Sequence, residues 1–488
     1  MKKMLDVISV KKMKGLCLLC TCVALSIGIA TQAFSGEKYN LTHAEFYKYK
    51  GLDDPRPFLK DTNYYQVWMP AEEAAKLRFD VEAMKKLWSE TVGFKAPEVV
   101  GKLHPEIKPG KYTLADKEKL PFKELMPAFY YEKWNQPGAD GKNHGGNFTE
   151  FEIVPTQQYY YALPIAKATK KYEGTAKQDE QGYLIEDSYQ AGLPFPRPSG
   201  PHRAMQMAYN WQLGYREGEQ WVYLDDIYGM DKNWKHDFHS KGRAYIMRVR
   251  GRTLLPPYGI LDKRTVKQKE LRLWQYEAIS PRDFYGNVYF LNTYLDKTKS
   301  SSLLAYVNIL RRIRKLSSND KQDQAIGQDL TFDDADGFTQ TMSPNVYPME
   351  YKVIGEREFL MPSYTPDCSE YYSTDKLMLK NLKMERRPVW MVEMTSLDKN
   401  YVYSKRIMYM DKETLLGLHF EMYDQKGRLY RNFSYIWGFE PEQGRFNGLY
   451  TVTLDHIDVH STVGMLPAMQ ATWLKRRDIS LRSMLKAK

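Results

Sequence analysis

The C-terminal part of the chain is a series of alternating apolar and polar segments joined by very short connections, and this pattern limits the fold more than any other. Four consecutive segments alternate with the period of two that is typical of β-strands: 389–396, 401–410, 416–423 and 428–439. Their connections are four residues long and rich in Asp, Lys, Asn and Gly, which favour hairpin turns: 397–400, 411–414 and 424–427. Consecutive strands joined in this way pair antiparallel.

More strand candidates lie on both sides of this series: 220–226, 243–252, 269–278, 287–296, 303–316, 350–359 and 450–459. One helix is predicted at 202–214, after the proline-rich segment 192–201. Strands do not alternate with long helices, which disfavours a parallel α/β sheet. Aromatic residues make up 14% of the chain and favour pleated, half-buried surfaces. The sequence therefore predicts a mainly β (α+β) protein with a large antiparallel sheet and covering helices.

The first 33 residues have the order of a secretory signal peptide. Five lysines precede an uncharged run at 15–30, and small residues follow as cleavage sites after Ala33 or Ser35. The run of about 16 residues is shorter than the roughly 20 needed to span a bilayer. Cleavage would leave Cys368 as the single cysteine, so no intramolecular disulfide is expected. No cysteine in the run follows the small residue of a lipobox. We expect a soluble protein of the periplasm, and peripheral contact with the outer membrane stays open.

Three parts are predicted after the signal peptide. Residues 34–129 are a mixed helical and irregular region, in which an apolar stripe at helical spacing runs to Gly93. Residues 130–460 form the antiparallel sheet domain with its helices. Residues 461–488 are a basic C-terminal tail.

One face of the predicted sheet is apolar and rich in methionine. Period two places these side chains on common faces of neighbouring strands: Trp390, Val392, Met394, Met408, Met410, Leu418, Phe420, Met422, Val452 and Leu454. Methionine adapts to varied apolar partners. Two interpretations stay open, because such a face is either a core covered by the chain's own helices or a groove for an acyl chain with helices as a lid.

A basic cluster lies in the segment predicted as strand 303–316. Arg311, Arg312, Arg314 and Lys315 follow one another closely. Export excludes nucleic acid as the partner, although the chain carries a net charge of +11. The cluster is either a solvated strand face or a contact for anionic lipid head groups or a protein partner.

Two groups of residues that include histidines are candidate metal ligands. His236 and His239 lie three residues apart, a spacing that suits a helix, whereas this stretch has the pattern of a loop or strand. His456, Asp458 and His460 would alternate on one strand face, which equally suits a solvated surface. No metal site is predicted.

The paired acids Asp225–Asp226 and Asp333–Asp334 are candidates for the two carboxylates of a glycosidase. Neighbouring residues of a strand point to opposite faces, so neither pair forms that geometry alone. The sequence contains no nucleophile elbow and no phosphate-binding loop. No catalytic residue and no cofactor are predicted.

Several segments resemble a known family: 311–320, 327–334, 408–421 and 423–429. They are similar to LolA/LolB-like outer-membrane lipoprotein-sorting proteins of Gram-negative periplasms. The proline-rich segment narrows the resemblance to an uncharacterised family that is often encoded beside resistance-nodulation-division exporters. The resemblance covers roughly residues 183–459. It implies a strongly curved antiparallel sheet, an incomplete barrel, covered by helices on its concave side.

The resemblance also implies a function. Such proteins carry or sense lipids or lipidated molecules without a cofactor, and their partners are an envelope transporter or an outer-membrane component. Two alternatives remain open: a periplasmic hydrolase of glycans or lipids, and an adaptor or assembly module of an envelope complex. A polar cleft with paired acids would favour the hydrolase, and an exposed aromatic patch in the N-terminal region would favour the adaptor.

Overall fold

The computed structural model describes residues 38–42, 63–67, 75–139, 145–317, 320–364, 376–466 and 468–485. The predicted signal peptide and Cys368 lie outside the described residues. The chain divides into two compact units, Met1–Ala71 and Glu72–Lys488. In the first unit, β1 (Lys38–Thr42) and β2 (Asn63–Val67) form an antiparallel pair.

The second unit carries all the other described elements. Its strands are β3 (Gly110–Thr113), β4 (Glu150–Ile153), β5 (Gln220–Met230), β6 (His236–Arg248), β7 (Arg250–Arg252), β8 (Gly259–Ile260), β9 (Glu270–Ser280), β10 (Val288–Tyr294), β11 (Ser302–Val307), β12 (Arg312–Leu316), β13 (Met349–Pro362), β14 (Lys383–Ser396), β15 (Lys405–Asp411), β16 (Gly417–Tyr423), β17 (Leu429–Glu440), β18 (Arg445–Asp455), β19 (His460–Met465) and β20 (Ala468–Gln470). Its helices are α1 (Val81–Val92), α2 (Ala96–Val99), α3 (Phe122–Leu125), α4 (Ala128–Lys133), α5 (Leu163–Lys171), α6 (Arg203–Leu213), α7 (Lys263–Gln268) and α8 (Leu481–Met484).

One 16-stranded sheet organises this unit. Its strand order is β12-β11-β10-β9-β6-β5-β19-β18-β17-β16-β15-β14-β4-β3, with β13 added on β14 and β20 on β5. The pairings between these named strands are antiparallel, except for the short parallel contact of β4 with β14. The sheet is large and curved, and within the described residues its end strands do not pair to close a barrel. The predicted mainly β fold with a curved antiparallel sheet is therefore confirmed.

The predicted hairpins form because their turn residues satisfy the backbone locally. In the β15–β16 turn, Asp411 Oδ1 accepts the backbone N–H groups of Glu413 and Thr414, at 2.8 and 3.1 Å. In the β16–β17 turn, Asp424 Oδ1 accepts those of Lys426 and Arg428, both at 2.9 Å. Asp side chains commonly stabilise turns in this way. The strands of the series consequently follow the chain order from β14 to β18.

Helices cover the sheet, and α1 shows how one is fixed in place. Asp80 Oδ1 accepts the N–H of Ala83 at 2.6 Å and caps the start of the helix, which ends at Gly93. Trp88 is buried and donates its indole N–H to the Glu413 carbonyl oxygen at 2.8 Å. The apolar stripe of α1 thus packs on the β15–β16 turn. Among the described residues, no helix combines the length and apolar composition that crossing a membrane requires.

Among the strand predictions that were wrong in their extent, two continued through a turn. The predicted strand 303–316 is a hairpin, because residues 308–310 form a helical turn and Arg311 has a left-handed backbone at φ 49°. The predicted strand 450–459 ends at Asp455, and a turn at 456–459 leads into β19. Charged and apolar residues continue to alternate through both turns, so periodicity alone did not reveal them.

Candidate functional site

Three neighbouring strands bring most of the predicted apolar side chains together. Val392 of β14 lies opposite Met408 of β15, which lies opposite Phe420 of β16. Directly opposed residues of antiparallel strands share a face of the sheet. We call this surface the apolar face, and its residues are Trp390, Val392, Met394, Met408, Met410, Phe420 and Met422, continued by Phe433 of β17. All of them are buried. Leu418 is also buried, next to a register shift between β15 and β16.

Val452 and Leu454 do not belong to the apolar face. In the β17–β18 register they lie opposite Ser434 and Asn432, whereas Phe433 lies opposite Thr453. Their side chains therefore point to the other side of the sheet. The sequence shows the alternation within each strand, but it does not show the register between strands.

The other side of the sheet is covered as well. The ring of Phe129 in α4 stacks on His419 with centroids 4.9 Å apart. The backbone at Gly146 lies so close to Val452 that a Cβ atom there would be 2.8 Å from Val452 Cγ1. Leu379 N–H donates to the Asn147 carbonyl oxygen at 2.7 Å and joins this layer to residues 376–382. The central strands are thus buried on both faces.

A loop and a helix together cover the apolar face. Trp211 of α6 contacts Phe420 with ring centroids 5.4 Å apart. Residues 329–342, which we call the covering loop, place Gly337 against the same ring. Gly337 has φ +77°, and a Cβ atom there would lie 2.3 Å from Phe420 Cδ2. Only glycine satisfies both this left-handed backbone and the close approach.

A buried ion pair fixes the covering loop to the apolar face. Arg406 lies on that face between its register partners Met394 and Met422. Its Nη2 contacts Asp334 Oδ1 at 2.5 Å, and its Nη1 donates to the Gly337 carbonyl oxygen at 3.0 Å. Within the described residues, Arg406 Nε makes no hydrogen bond. The attachment therefore joins two full charges, but among the described residues the Nε donor of Arg406 has no acceptor.

The ion pair determines the protonation of Asp334. Burial would raise the pKa of its carboxyl, but the Arg406 guanidinium and the Tyr403 hydroxyl lower that pKa below its ordinary value. The Tyr403 hydroxyl donates to Asp334 Oδ2 at 2.6 Å. Burial likewise opposes the charge of Arg406, yet Asp334 raises its pKa. Both groups are therefore charged at neutral pH.

Other carboxylates attach the covering loop to its surroundings. Asp333 accepts hydrogen bonds from the hydroxyls of Tyr347 and Tyr401, each at 3.2 Å. Asp336 accepts one from Tyr435 at 2.6 Å and pairs with Arg216. Burial raises the pKa of Asp333 to about 7, although Lys321 and Arg406 act in the opposite direction. These polar contacts hold the loop together with its buried apolar side chains, Phe338 and Met342.

Sequence reasoning missed the role of these charged residues. The adjacent acids Asp333 and Asp334 were examined only as catalytic groups, and the structure instead makes them attachments of the covering loop. The signal was present in β15, where Arg406 continues the alternation of Met408 and Met410 on the buried face. A buried arginine requires a buried acid.

The basic cluster lies at one end of the sheet, away from the apolar face in strand order. Arg311 ends the turn between β11 and β12, and Arg312, Arg314 and Lys315 belong to β12. All four side chains are exposed.

The histidines form pairs with carboxylates. His460 lies between Asp329 and Asp237, with nitrogen–oxygen distances of 2.6 and 3.0 Å. Although burial opposes its charge, these two carboxylates raise the pKa of His460 to about 9, so it is an imidazolium. His239 contacts Asp226 at 2.7 Å. Among the described residues, no group of three or more His, Cys, Asp and Glu side chains is arranged to hold a metal ion.

Two cavities lie outside the apolar face. One of about 370 Å³ is on the other side of β14 and β15, and Met126, Phe359, Met391 and Tyr409 contribute its apolar lining. One of about 670 Å³ is lined by both polar and apolar side chains, among them Ser300–Ser302, Lys299, Lys315 and Leu316.

The fold and the site define a mainly β protein whose methionine-rich sheet face is closed by a polar-attached loop. The chain belongs to the family described as protein of unknown function (DUF1329), which matches residues 146–481. This confirms the uncharacterised family expected from the sequence. A search of curated proteins found no match.

Solved structures that are similar to this chain include the following three. A putative outer membrane lipoprotein-sorting protein domain from Vibrio parahaemolyticus is 14% identical over 58% of this chain and 97% of its own, with a TM-score of 0.41. A DUF1329 family protein from Desulfovibrio piger is 15% identical over 58% and 95%, also with 0.41. The LolA superfamily protein NE2245 from Nitrosomonas europaea is 11% identical over 57% and 97%, with 0.35.

Proposed function

We propose that the protein binds and carries a lipid or a lipidated molecule on its apolar face. The observation that carries this proposal is the way the face is closed. Three methionines, Met394, Met408 and Met422, lie beside a valine and two phenylalanines under a loop held by Asp334 and Arg406. An adaptable apolar surface under a polar-attached cover is suited to a ligand that replaces the cover.

The polar attachment makes opening possible. A buried ion pair contributes little net stability, because the cost of removing both charges from water nearly cancels their attraction. When the covering loop moves away, Asp334 and Arg406 recover their hydration. An apolar cover of the same size would lose its full burial energy on opening, about 25 cal/mol for each Å² exposed.

Binding of an acyl chain would compensate for the free-energy cost of exposing the apolar face. Each CH₂ group removed from water contributes about 0.8 kcal/mol. The side chains that surround it would be Val392, Met408 and Phe420, which are directly opposed across three strands. Such a carrier needs no cofactor and no catalytic residue.

We propose a periplasmic location for the protein, peripheral to the outer membrane. The predicted signal peptide at residues 1–33 supports the periplasmic location. A lipid that crosses this aqueous space must be collected and delivered. We propose an envelope exporter or an outer-membrane sorting component as the partner.

A pair of space-filling variants tests the site. Val392→Trp fills the apolar face, whereas Val452→Trp fills the opposite side of the same sheet. Both overpack a buried position and are expected to cost about 1–3 kcal/mol of stability. We expect the wild type and Val452→Trp to bind a fluorescent fatty-acid probe, and Val392→Trp to lose at least tenfold in probe affinity, about 1.4 kcal/mol. Equal probe affinity in both variants would place the ligand elsewhere.

A further inference from the structure

The turn between β11 and β12 carries an exposed apolar tip. Ile309 is 88% exposed and Leu310 is 49% exposed. Tyr285, 53% exposed, belongs to the neighbouring loop 281–287. Large apolar side chains that stand together in water usually mark a contact surface.

Hydrogen bonds hold the members of this tip together. Asn308 N–H donates to Asn287 Oδ1 at 2.8 Å, and Asn308 Nδ2 donates to the Tyr285 carbonyl oxygen at 3.2 Å. The turn and the loop therefore present Ile309, Leu310 and Tyr285 as one preformed surface. No folding step is needed before it can bind.

Cations follow the apolar tip on both faces of β12. Arg312 and Arg314 lie opposite Val307 and Ala305, and the residue between them, Ile313, lies opposite Tyr306. Lys315 shares the face of Ile313. Within the part of the chain that the structure describes, no ion pair joins Arg311, Arg312, Arg314 or Lys315 to an acid.

The acids near the tip do not neutralise these cations. Loop 281–287 contains one acid, Asp283, and one base, Arg282, which balance each other. The hairpin from Ser302 to Leu316 contains no acid at all and four cations. Charge complementarity therefore requires an anionic partner.

Protection of a sheet edge explains only part of this pattern. β12 is an end strand, and charged residues on such strands prevent pairing with other chains. That role accounts for the arginines and the lysine. It does not account for Ile309, whose side chain is almost fully in water.

We propose that the β11–β12 turn docks the protein on an anionic lipid bilayer, with Ile309 and Leu310 inserted at the interface. Arg312 is the first residue of β12 after the turn, and a strand rises about 3.3 Å per residue, so Arg314 lies roughly 7 Å further from the tip than Arg312. Apolar groups of peripheral proteins insert about 5–10 Å, which places these arginines at the lipid phosphates. Tyr285 is of the type enriched at membrane interfaces.

This inference does not depend on the proposed carrier function. The tip belongs to β11 and β12, whereas the apolar face belongs to β14–β17. Vesicle binding therefore measures the tip even if the apolar face binds no ligand.

Vesicle sedimentation of the full chain tests the proposal. The probes are vesicles of phosphatidylethanolamine with about one third phosphatidylglycerol, and vesicles of phosphatidylcholine alone. We expect the wild type to bind the anionic vesicles and to be released by added salt. Ile309→Asn with Leu310→Asn should weaken this binding at least tenfold. Arg312→Gln with Arg314→Gln should weaken it about 25-fold, or about fivefold for each cation.

Matched variants test whether the loss of exposed apolar or cationic side chains anywhere on the protein weakens vesicle binding. Leu397 and Ile457 are 56% and 42% exposed on other turns, and Leu397→Asn with Ile457→Asn should leave binding unchanged. Lys263→Gln with Lys267→Gln removes two exposed cations from α7 and should also leave it unchanged. All variants change exposed residues, so their melting temperatures should match the wild type. Absence of wild-type binding to anionic vesicles, or equal loss in tip and control variants, would overturn the proposal.

Discussion

At the scale of single residues, the unusual feature is a charged pair inside an apolar surface. Arg406 and Asp334 are both buried. They lie where the apolar side of β15 contacts the covering loop. Removing two ions from water costs several kcal/mol for each, and their attraction restores most of it. The pair therefore determines where the loop sits more than how stable the protein is. Removing only one partner leaves the other charge buried without its counter-ion, which is strongly destabilising.

We predict that the contributions of Arg406 and Asp334 to the free energy of unfolding depend strongly on each other. Arg406→Met leaves Asp334 buried without its cation and should lower the free energy of unfolding by about 3–5 kcal/mol. Arg406→Met combined with Asp334→Leu removes both charges and should recover most of that loss. Urea denaturation of the four proteins of this cycle measures the coupling.

An exposed pair provides the comparison. Arg428, whose side chain is 57% exposed, pairs with Asp424 at 2.7 Å. Arg428→Met should change the free energy of unfolding by no more than about 1 kcal/mol. If Arg406→Met lowered the free energy of unfolding by as little as Arg428→Met, the role assigned to the buried pair would be contradicted.

Asp333 predicts a pH dependence with a definite sign. Burial raises its folded-state pKa from 3.8 to about 7, so the folded state holds a proton that the unfolded state releases. The resulting stability is present below about pH 3.8 and is lost as the pH rises towards 7. Asp333→Asn cannot ionise and should gain stability relative to the wild type across this window. Denaturation curves of both proteins between pH 4 and 8 measure the difference, and a difference that stays constant with pH would refute the assignment.

At the scale of elements, local patterns predicted the strands well and their pairing partly. The segments 389–396 and 416–423 correspond to β14 (Lys383–Ser396) and β16 (Gly417–Tyr423). The hairpin turns between them are local, so the antiparallel order of β14–β18 could be derived from chain order. The joining of β5 to β19 could not, because those strands are more than 200 residues apart and no turn connects them.

The covering loop was beyond sequence reasoning for a similar reason. It has neither helical nor strand periodicity, and its contacts are distant in sequence, as between Asp334 and Arg406. The exclusion of Val452 and Leu454 from the apolar face depends on the pairing register, which a single strand does not reveal. The apolar residues of the candidate site were therefore largely predictable from the sequence, whereas their cover was not.

Gly337 gives an element-level prediction for the covering loop. Gly337→Ala adds a Cβ atom against Phe420 and forces an alanine into a left-handed backbone at φ +77°. We expect a loss of about 1–2 kcal/mol from backbone strain and about 1–3 kcal/mol more from overpacking. The lifted loop should also increase binding of a hydrophobic dye to the folded protein.

Gly427 separates the two effects. It has φ +76° and no heavy atom within 4 Å of an added Cβ, so Gly427→Ala carries only the backbone strain. Comparison of the two variants by denaturation and dye binding isolates the contact with Phe420. Identical behaviour would mean that the loop does not press on the apolar face.

At the scale of the whole molecule, the large unit combines a long open sheet with two covering layers. One layer includes α4 and packs on His419, and the other includes α6 and the covering loop and packs on Phe420. The second is attached through a buried ion pair to an apolar surface. We therefore propose that the covering loop moves and that the face beneath it binds the ligand.

Native mass spectrometry of the protein purified from the cells that naturally produce it is the decisive experiment for ligand binding on the apolar face. We expect the wild type to retain a lipid, seen as a mass increment that organic solvent removes, and Val392→Trp to lack it. Val452→Trp should retain the same increment, because it fills the other side of the sheet. A wild-type protein that carries no lipid and takes up no fatty-acid probe would contradict the account and leave the apolar face as an ordinary packed core.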